Sequence, residues 1–207
     1  LPIPIGTYGN FSFVQAPPKT KKTFFISLIA SVYLSDQNHF GGDLKGHREG
    51  KELIHLDTEQ GKWHCQRVFK RVAEMSGTSD GYLTYGLRTI NYKDRIDFID
   101  YCLEHKAENA GLLIVDGIAD LCADVNNIEE SNACVQRLME WSAKHKVHIM
   151  CVIHSNFGSD KPTGHLGSFL EKKAETQIQL EANTVNKEWI TVKCKRSRGY
   201  AFETFSF

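Results

Sequence analysis

The segment Ala16 to Thr23, read Ala-Pro-Pro-Lys-Thr-Lys-Lys-Thr, contains residue types that a phosphate-binding loop requires. Such a loop uses a lysine for the terminal phosphates, a following Ser or Thr hydroxyl for magnesium, and backbone amides at a helix N-terminus. Lys22 and Thr23 supply the lysine and the hydroxyl. ATP and Mg²⁺ are therefore the predicted ligands, and the predicted nucleotide-binding residues are Pro18, Lys19, Thr20, Lys21, Lys22, Thr23 and Phe24.

This loop departs from the usual pattern G-x-x-x-x-G-K-[ST] at both glycines. Ala16 stands at the first glycine position and Lys21 at the second. A Cβ atom at position 21 restricts the backbone, although a second ammonium would attract phosphate. The alternative interpretation is a basic, solvated loop that opens an ordinary helix.

A carboxylate follows the apolar run Gly111 to Val115, where Asp116 precedes Gly117. A carboxylate at the carboxyl end of a buried strand can hold magnesium directly or through water. The alternative is an aspartate that only forms the turn before a glycine. Because Lys22 lies at another predicted strand-to-helix junction, we expect Thr23 and Asp116 to share a metal site.

Two further strand ends carry polar side chains. The strand Leu53 to Asp57 runs into Glu59, and Asp57 and Glu59 both remain candidates for a general base, since residues two apart on a strand share a face. The strand Val147 to Ile153 is followed by His154, for which a purely structural role is the alternative.

The order of these motifs resembles that of the RecA-like ATPases, and it is especially similar to the DnaB, KaiC and plasmid RepA helicase branch. The resemblance implies that Glu59 orients the attacking water and that His154 senses the γ-phosphate. It also implies that the polar loop Gly158 to Ser168 contacts single-stranded DNA, with a plain surface loop as the alternative.

The basic turn Lys193 to Gly199 resembles the K-x-R-x-G element through which DnaB-type subunits insert cations into a neighbour's ATP site. Arg196 stands at the lysine position and Arg198 at the arginine position, with Gly199 one residue early. The resemblance implies a homo-oligomer, either a ring or a filament, with both arginines acting in trans. The alternatives are an exposed basic hairpin and a contact to DNA phosphates.

The elements that must position these residues alternate between strands and helices, which predicts an α/β fold. We expect a RecA-like, mostly parallel central sheet flanked by helices, with antiparallel C-terminal edge strands. The predicted helices are Lys22 to Leu34, Lys62 to Met75, Lys93 to Lys106 and Glu129 to His145. The predicted strands, besides those named above, are Phe11 to Gln15, a weaker Leu83 to Thr89, Gln177 to Leu180, Trp189 to Cys194 and Ala201 to Phe207.

Composition restricts the remaining possibilities. Lys plus Arg and Asp plus Glu both number 25 in 207 residues, so any DNA contact must be local. The six cysteines include no C-x-x-C pair, which favours reduced core thiols in a cytoplasmic protein. We find no membrane span or signal peptide, and we expect one RecA-like domain over 1–207 that could belong to a longer chain, since Leu1 is not a methionine.

These features predict an ATP-binding and ATP-hydrolysing motor domain that acts on DNA in replication or mobilisation of a plasmid-like element. One alternative is a nucleotide-binding regulator or DNA-assembled scaffold with little or no hydrolysis, which the substituted glycines favour. The other is an α/β interaction domain that binds no nucleotide.

Overall fold

Strands and helices alternate along the chain as predicted. The computed structural model describes residues 2–18, 20–39, 44–107, 109–156, 159–183, 185–186 and 188–207. The strands in this part of the chain are β1 (Phe11–Ala16), β2 (Asn38–His39), β3 (Leu44–Lys45), β4 (Glu52–Asp57), β5 (Tyr82–Gly86), β6 (Ala110–Asp116), β7 (His148–His154), β8 (Thr176–Ala182), β9 (Ile190–Ser197) and β10 (Phe205–Ser206). The helices are α1 (Lys22–Ser35), α2 (Lys62–Ser76), α3 (Tyr92–Tyr101), α4 (Ile128–His145) and α5 (Gly164–Lys173).

Eight of these strands form one sheet in the order β10-β9-β8-β1-β7-β6-β4-β5. The pairs from β8 through β1, β7, β6 and β4 to β5 are parallel, whereas β8 with β9 and β9 with β10 are antiparallel. The predicted α/β fold with antiparallel C-terminal edge strands is confirmed. Strands β2 and β3 pair separately as a two-stranded unit.

Helices cover both faces of the sheet. Every residue of β1 and β6 is buried, which explains their nearly continuous apolar character. The core on one face includes buried side chains of α3, α4 and α5, such as Ile99, Leu138 and Leu170. The core on the other face includes Phe25 of α1 and Val72 of α2.

The predicted polar loop Gly158 to Ser168 is wrong in its second half, because α5 begins at Gly164. Leu166 and Leu170 are buried one helical turn apart and anchor α5 to the core. Gly158 lies outside the described residues. The glycines of this helix serve close packing, since a Cβ on Gly167 would lie 2.6 Å from the carbonyl carbon of Pro162.

Smaller differences concern the ends of elements. The predicted strand Leu83 to Thr89 ends at Gly86, and the predicted C-terminal strand is reduced to Phe205–Ser206. The predicted helix Lys93 to Lys106 begins at Tyr92 and continues from Cys102 to Lys106 as a π-helix. Ile118–Leu121 forms a 3₁₀-helix that the sequence pattern did not predict.

Parallel pairing brings the carboxyl ends of four strands to one edge of the sheet. Ala16 at the end of β1 is in register with His154 at the end of β7. Asp57 at the end of β4 is in register with Asp116 at the end of β6. Within the described ranges, no helix is long and apolar enough to cross a membrane.

Candidate functional site

A cleft of about 910 Å³ opens at this edge of the sheet. Its lining includes residues Thr20 to Phe24 at the start of α1, together with Glu59 and His154. One wall is formed by the side of α2 that carries His64, Arg67, Val68, Lys70, Arg71 and Glu74. The predicted phosphate-binding loop therefore faces the same space as two of the predicted catalytic residues. Lys19 lies outside the described residues.

The turn before α1 forms without glycine. Lys21 adopts the left-handed conformation, with φ 53° and ψ 32°, which is the backbone region that glycine enters most easily. Its ammonium donates to the carbonyl oxygen of Glu188 at 2.5 Å. Lys21 gives α1 no side-chain cap, and the first turn of α1 contains no acidic residue. The positive end of the helix therefore faces the cleft with two lysines beside it.

Lys22 is buried and touches the end of β7. Its Nζ atom lies 3.0 Å from Nδ1 of His154 and donates to the carbonyl oxygen of Pro17 at 3.3 Å. Burial lowers the pKa of Lys22, while the charges of Glu59 and Asp116 oppose this shift. An ammonium can only donate, so Nδ1 of His154 accepts and its proton resides on Nε2.

Glu59 completes a chain of contacts with Lys22 and His154. Its Oε1 atom lies 3.4 Å from Nε2 of His154, and both side chains are about two-fifths exposed. The hydrogen bond from His154 is the main reason that the pKa of Glu59 is lowered, in spite of partial burial. Glu59 is thus kept ionised, with its carboxylate open to the cleft.

Asp57, the competing candidate, is occupied by the turn that follows β4. Its Oδ1 atom accepts from the amides of Glu59 and Gln60 at 3.1 and 2.8 Å, and its Oδ2 atom accepts from Nε2 of Gln60 at 2.7 Å. The side chain is fully buried. Asp57 therefore positions the backbone of Glu59 and does not line the cleft.

Asp116 lies beneath the cleft and is 5% exposed. Burial, aided by the charges of Asp57 and Glu59, raises the pKa of Asp116 to about 7, although Lys22 acts in the opposite direction. A cation would favour the ionised form of such a carboxylate, so the site fits a divalent metal. Among the described residues, no three His, Cys, Asp or Glu side chains form a self-sufficient metal site. Mg²⁺ needs fewer protein ligands when phosphate oxygens complete its shell, and Thr23 and Asp116 would hold it here.

Arg196 and Arg198 lie away from the cleft. Arg196 of β9 is in register with Gln177, which is level with Phe13 of β1, and the amide of Arg198 donates to the carbonyl oxygen of Glu175. Both arginines therefore lie towards the amino end of β1, opposite the phosphate-binding loop. The guanidinium of Arg198 also donates to the carbonyl oxygens of Lys173 and Ala174 at 3.0 and 3.3 Å, where it caps α5.

Sequence reasoning missed two groups of residues at this edge. Arg71 donates to Oγ of Ser27 at 2.8 and 3.1 Å and fixes α2 to α1; the only signal for it was helical spacing of basic residues after Glu59. Gln15 donates to Oγ of Ser155 at 3.0 Å and to the carbonyl oxygen of Asp160 at 2.8 Å, which anchors the segment after β7. No sequence pattern marks that second set.

Solved structures with the same fold include a recombinase and a helicase ATPase domain. The RadB recombinase superposes with a TM-score of 0.66 at 16% identity, covering 98% of this chain and 88% of that one. The helicase ATPase domain superposes with a TM-score of 0.66 at 12% identity, covering 97% of this chain and 81% of that one. At such low identity these similarities establish the fold alone. No curated protein matches the chain significantly by sequence.

The family comparison covers the cleft itself. The family profile described as an AAA domain matches residues 6–160, a range that contains Lys22, Glu59, Asp116 and His154. The match spans well over half of the chain, and it agrees with the RecA-like superpositions. The predicted resemblance to RecA-like P-loop ATPases of the DnaB-like branch is confirmed, and the chain belongs to the AAA-domain family.

Proposed function

We propose that the chain binds and hydrolyses ATP and that it works as a motor domain on DNA. The observation that carries this proposal is the contact chain from Lys22 through His154 to Glu59 at the mouth of the cleft. In it, the lysine of the phosphate-binding loop and the predicted base meet a single imidazole. The AAA-domain match over these residues supports the same activity.

The residues of the cleft divide the chemistry among them. Lys22 binds the β- and γ-phosphates, and the amides at the start of α1 surround them. Mg²⁺, held by Thr23 and Asp116, neutralises charge on the phosphate oxygens when it is bound. Glu59 orients the attacking water through its ionised carboxylate, and His154 detects the γ-phosphate because its imidazole already contacts both partners.

We further propose that the chain forms one ATPase domain of a cytoplasmic homo-oligomer, a ring or a filament. Arg196 and Arg198 cannot reach the cleft of their own chain, because they lie towards the opposite edge of the sheet. A neighbouring copy would bring them to the phosphates. Equimolar mixing of Lys22→Ala and Arg196→Ala chains tests this arrangement, since about a quarter of random interfaces would contain both intact residues. No recovery of turnover in the mixture would contradict it.

The DNA-directed part of the proposal rests on the motif order shared with the DnaB-like branch and on the fold shared with a recombinase. Replication or mobilisation of a plasmid-like element is the process that this resemblance favours. Residues 159–163, between β7 and α5, are the described part of the predicted DNA-contacting loop. Asp160 in this segment is held by Gln15, so its backbone is tied to the strand that leads into the phosphate-binding loop.

A second candidate function is a nucleotide-dependent regulator or scaffold that hydrolyses ATP slowly. The left-handed Lys21 favours it, because a side chain stands where the usual loop has glycine next to the phosphates.

ATP binding and turnover of wild type, Lys22→Ala and Glu59→Gln, with and without single-stranded DNA, separate these possibilities. We expect Lys22→Ala to lose ATP binding and Glu59→Gln to bind ATP without turning it over. Lys172→Ala and Glu140→Gln, at exposed positions on other helices, are the matched controls. Tight binding without turnover by the wild type would select the regulator, and failure to bind ATP would exclude both candidates.

A further inference from the structure

The outer wall of the cleft carries two exposed aromatic rings, each beside a guanidinium group. Trp63 of α2 is 60% exposed, and Phe24 of α1 is 51% exposed. The Cζ atom of Arg67 lies 4.7 Å from the centroid of the Trp63 ring, and that of Arg71 lies 4.0 Å from the centroid of the Phe24 ring. Exposed rings next to cations form a surface on which flat, electron-rich groups can stack.

The same wall concentrates positive charge. Arg67, Lys70 and Arg71 all line the cleft, and the one acidic side chain of α2, Glu74, is paired with Lys70 at 3.6 Å. Trp63, Arg67, Lys70 and Glu74 follow one another at helical spacing and share one face. Because the whole chain has a formal net charge of zero, this wall is a local feature.

The wall is also held in place. Besides its two bonds to Ser27, Arg71 donates to the carbonyl oxygen of Thr23 at 3.4 Å, so α2 is fixed to the first turn of α1. The Phe24 ring therefore lies at a set position relative to Arg67 and Lys70. A surface fixed in this way loses little conformational entropy when a ligand binds.

We propose that this outer wall, composed of Phe24, Trp63, Arg67, Lys70 and Arg71, binds single-stranded nucleic acid. Unpaired bases stack on the Trp63 and Phe24 rings, while Arg67 and Lys70 contact the phosphates. Paired bases in a duplex offer no free face to these rings, and an acidic peptide would match the cations but not the rings. The wall is separate from residues 159–163 after β7, and its binding does not require hydrolysis.

Binding of a fluorescently labelled oligothymidylate, measured by anisotropy without nucleotide, tests the proposal. The triple variant Trp63→Ala/Arg67→Ala/Lys70→Ala should bind about tenfold more weakly or worse. The slope of log affinity against log salt should fall by about 1.4, since each lost phosphate contact on a single strand removes about 0.7. Trp63→Phe should retain most of the affinity, because an aromatic face remains.

The matched control is Lys172→Ala/Lys173→Ala on α5, where Lys172 lies 5.6 Å from the Phe169 ring centroid and so reproduces an exposed cation beside an aromatic ring. This control should bind as wild type does. Unchanged affinity of the triple variant, or no binding by wild type, overturns the proposal. Loss of self-association at unchanged DNA affinity also overturns it and assigns the wall to a contact between protein chains.

Two further measurements keep the result interpretable. Urea unfolding of each variant shows whether a loss of binding reflects loss of the fold; in that case Arg67→Lys and Trp63→Phe, which keep charge and ring, are compared with Trp63→Ala alone. ATP turnover of the wild type separates this inference from the proposed activity. A wild type that hydrolyses ATP while the triple variant binds DNA normally contradicts only the present proposal.

Discussion

The Nζ atom of Lys22 lies 3.0 Å from Nδ1 of His154, although 132 positions separate the two residues in the chain. The imidazole uses its other nitrogen to approach Glu59, so one side chain links the phosphate-binding lysine to the predicted base. Nucleotide phosphates would compete with His154 for the ammonium. A change at Lys22 is therefore felt at Glu59 through a single ring.

Replacing His154 should consequently affect turnover more than ATP affinity. In His154→Ala, we expect turnover to fall at least about tenfold, because Glu59 loses the donor that holds its carboxylate. His154→Gln should keep more activity, since an amide can accept from Lys22 and donate to Glu59. Steady-state turnover and fluorescent-ATP titration measure the two effects. His165→Ala, at an exposed position of α5, is the control, and equal turnover in the Ala and Gln variants would contradict the linking role.

Gly117 should be required for the position of Glu59. A Cβ atom at Gly117 would lie 2.3 Å from Oε1 of Glu59, while the extended backbone there, with φ −157°, accepts alanine without strain. In Gly117→Ala the flexible Glu59 side chain must move, and we expect turnover to fall about tenfold or more with nearly unchanged stability. Turnover and urea unfolding are measured together. Wild-type turnover in a folded Gly117→Ala protein would show that this position of Glu59 is not the active one.

The left-handed lysine before α1 should cost stability. Lys21→Gly is expected to raise the free energy of unfolding by up to about 1 kcal/mol, and Lys21→Val should lower it by about 1 kcal/mol, because a β-branched residue resists positive φ. Lys146, with φ 52° at the end of α4, provides a matched position far from the cleft. Urea unfolding of the four single variants at the two positions is the measurement. A valine at 21 as stable as lysine would contradict the assigned backbone strain.

Buried His55 should make stability depend on pH. Burial, with a smaller effect of Arg71, lowers the pKa of His55 from 6.5 to about 3. Between these values only the unfolded chain binds the proton, so His55 reduces stability as pH falls below 6.5, by up to about 1.4 kcal/mol per pH unit. His55→Gln, which can still bond the Tyr82 hydroxyl, should remove this contribution.

The comparison must be between this variant and wild type, because Asp116, whose pKa is raised to about 7, acts in the opposite direction over the same range. Urea unfolding at several pH values from 7 to 5 gives both slopes. The exposed His165→Gln should leave the slope as it is in wild type. Parallel curves for His55→Gln and wild type would show that His55 titrates alike in the folded and unfolded chain.

The strands and the residues at their ends could be predicted because hydrophobic periodicity is a local property. The buried run before Asp116 and the alternation of strands and helices sufficed for the α/β fold. Parallel pairing then requires that the ends of β1, β4, β6 and β7 meet. The contacts between those ends could not be predicted, since periodicity contains no information on which nitrogen of His154 faces Lys22.

The errors have physical causes at particular residues. Gly164 and Gly167 favoured a loop, whereas the structure uses Gly167 to let α5 approach Pro162 closely. Arg198 was predicted only as a residue acting in trans, because its bonds to Lys173 and Ala174 exist only once α5 is present. The choice between Asp57 and Glu59 depended on two backbone amides that bend back to Asp57.

The sheet order also sets when the cleft can form during protein synthesis. Strand β7 is the last of the four site-bearing strands to leave the ribosome, yet it lies between β1 and β6. Until it inserts, the first strand has no partner on the side of β6, and Lys22 has no imidazole beside it. A nascent chain that ends before His154 already contains the phosphate-binding loop but lacks the strand that joins it to Asp116 and Glu59. Nucleotide can therefore stabilise only the completed sheet, and it acts on a late step of folding.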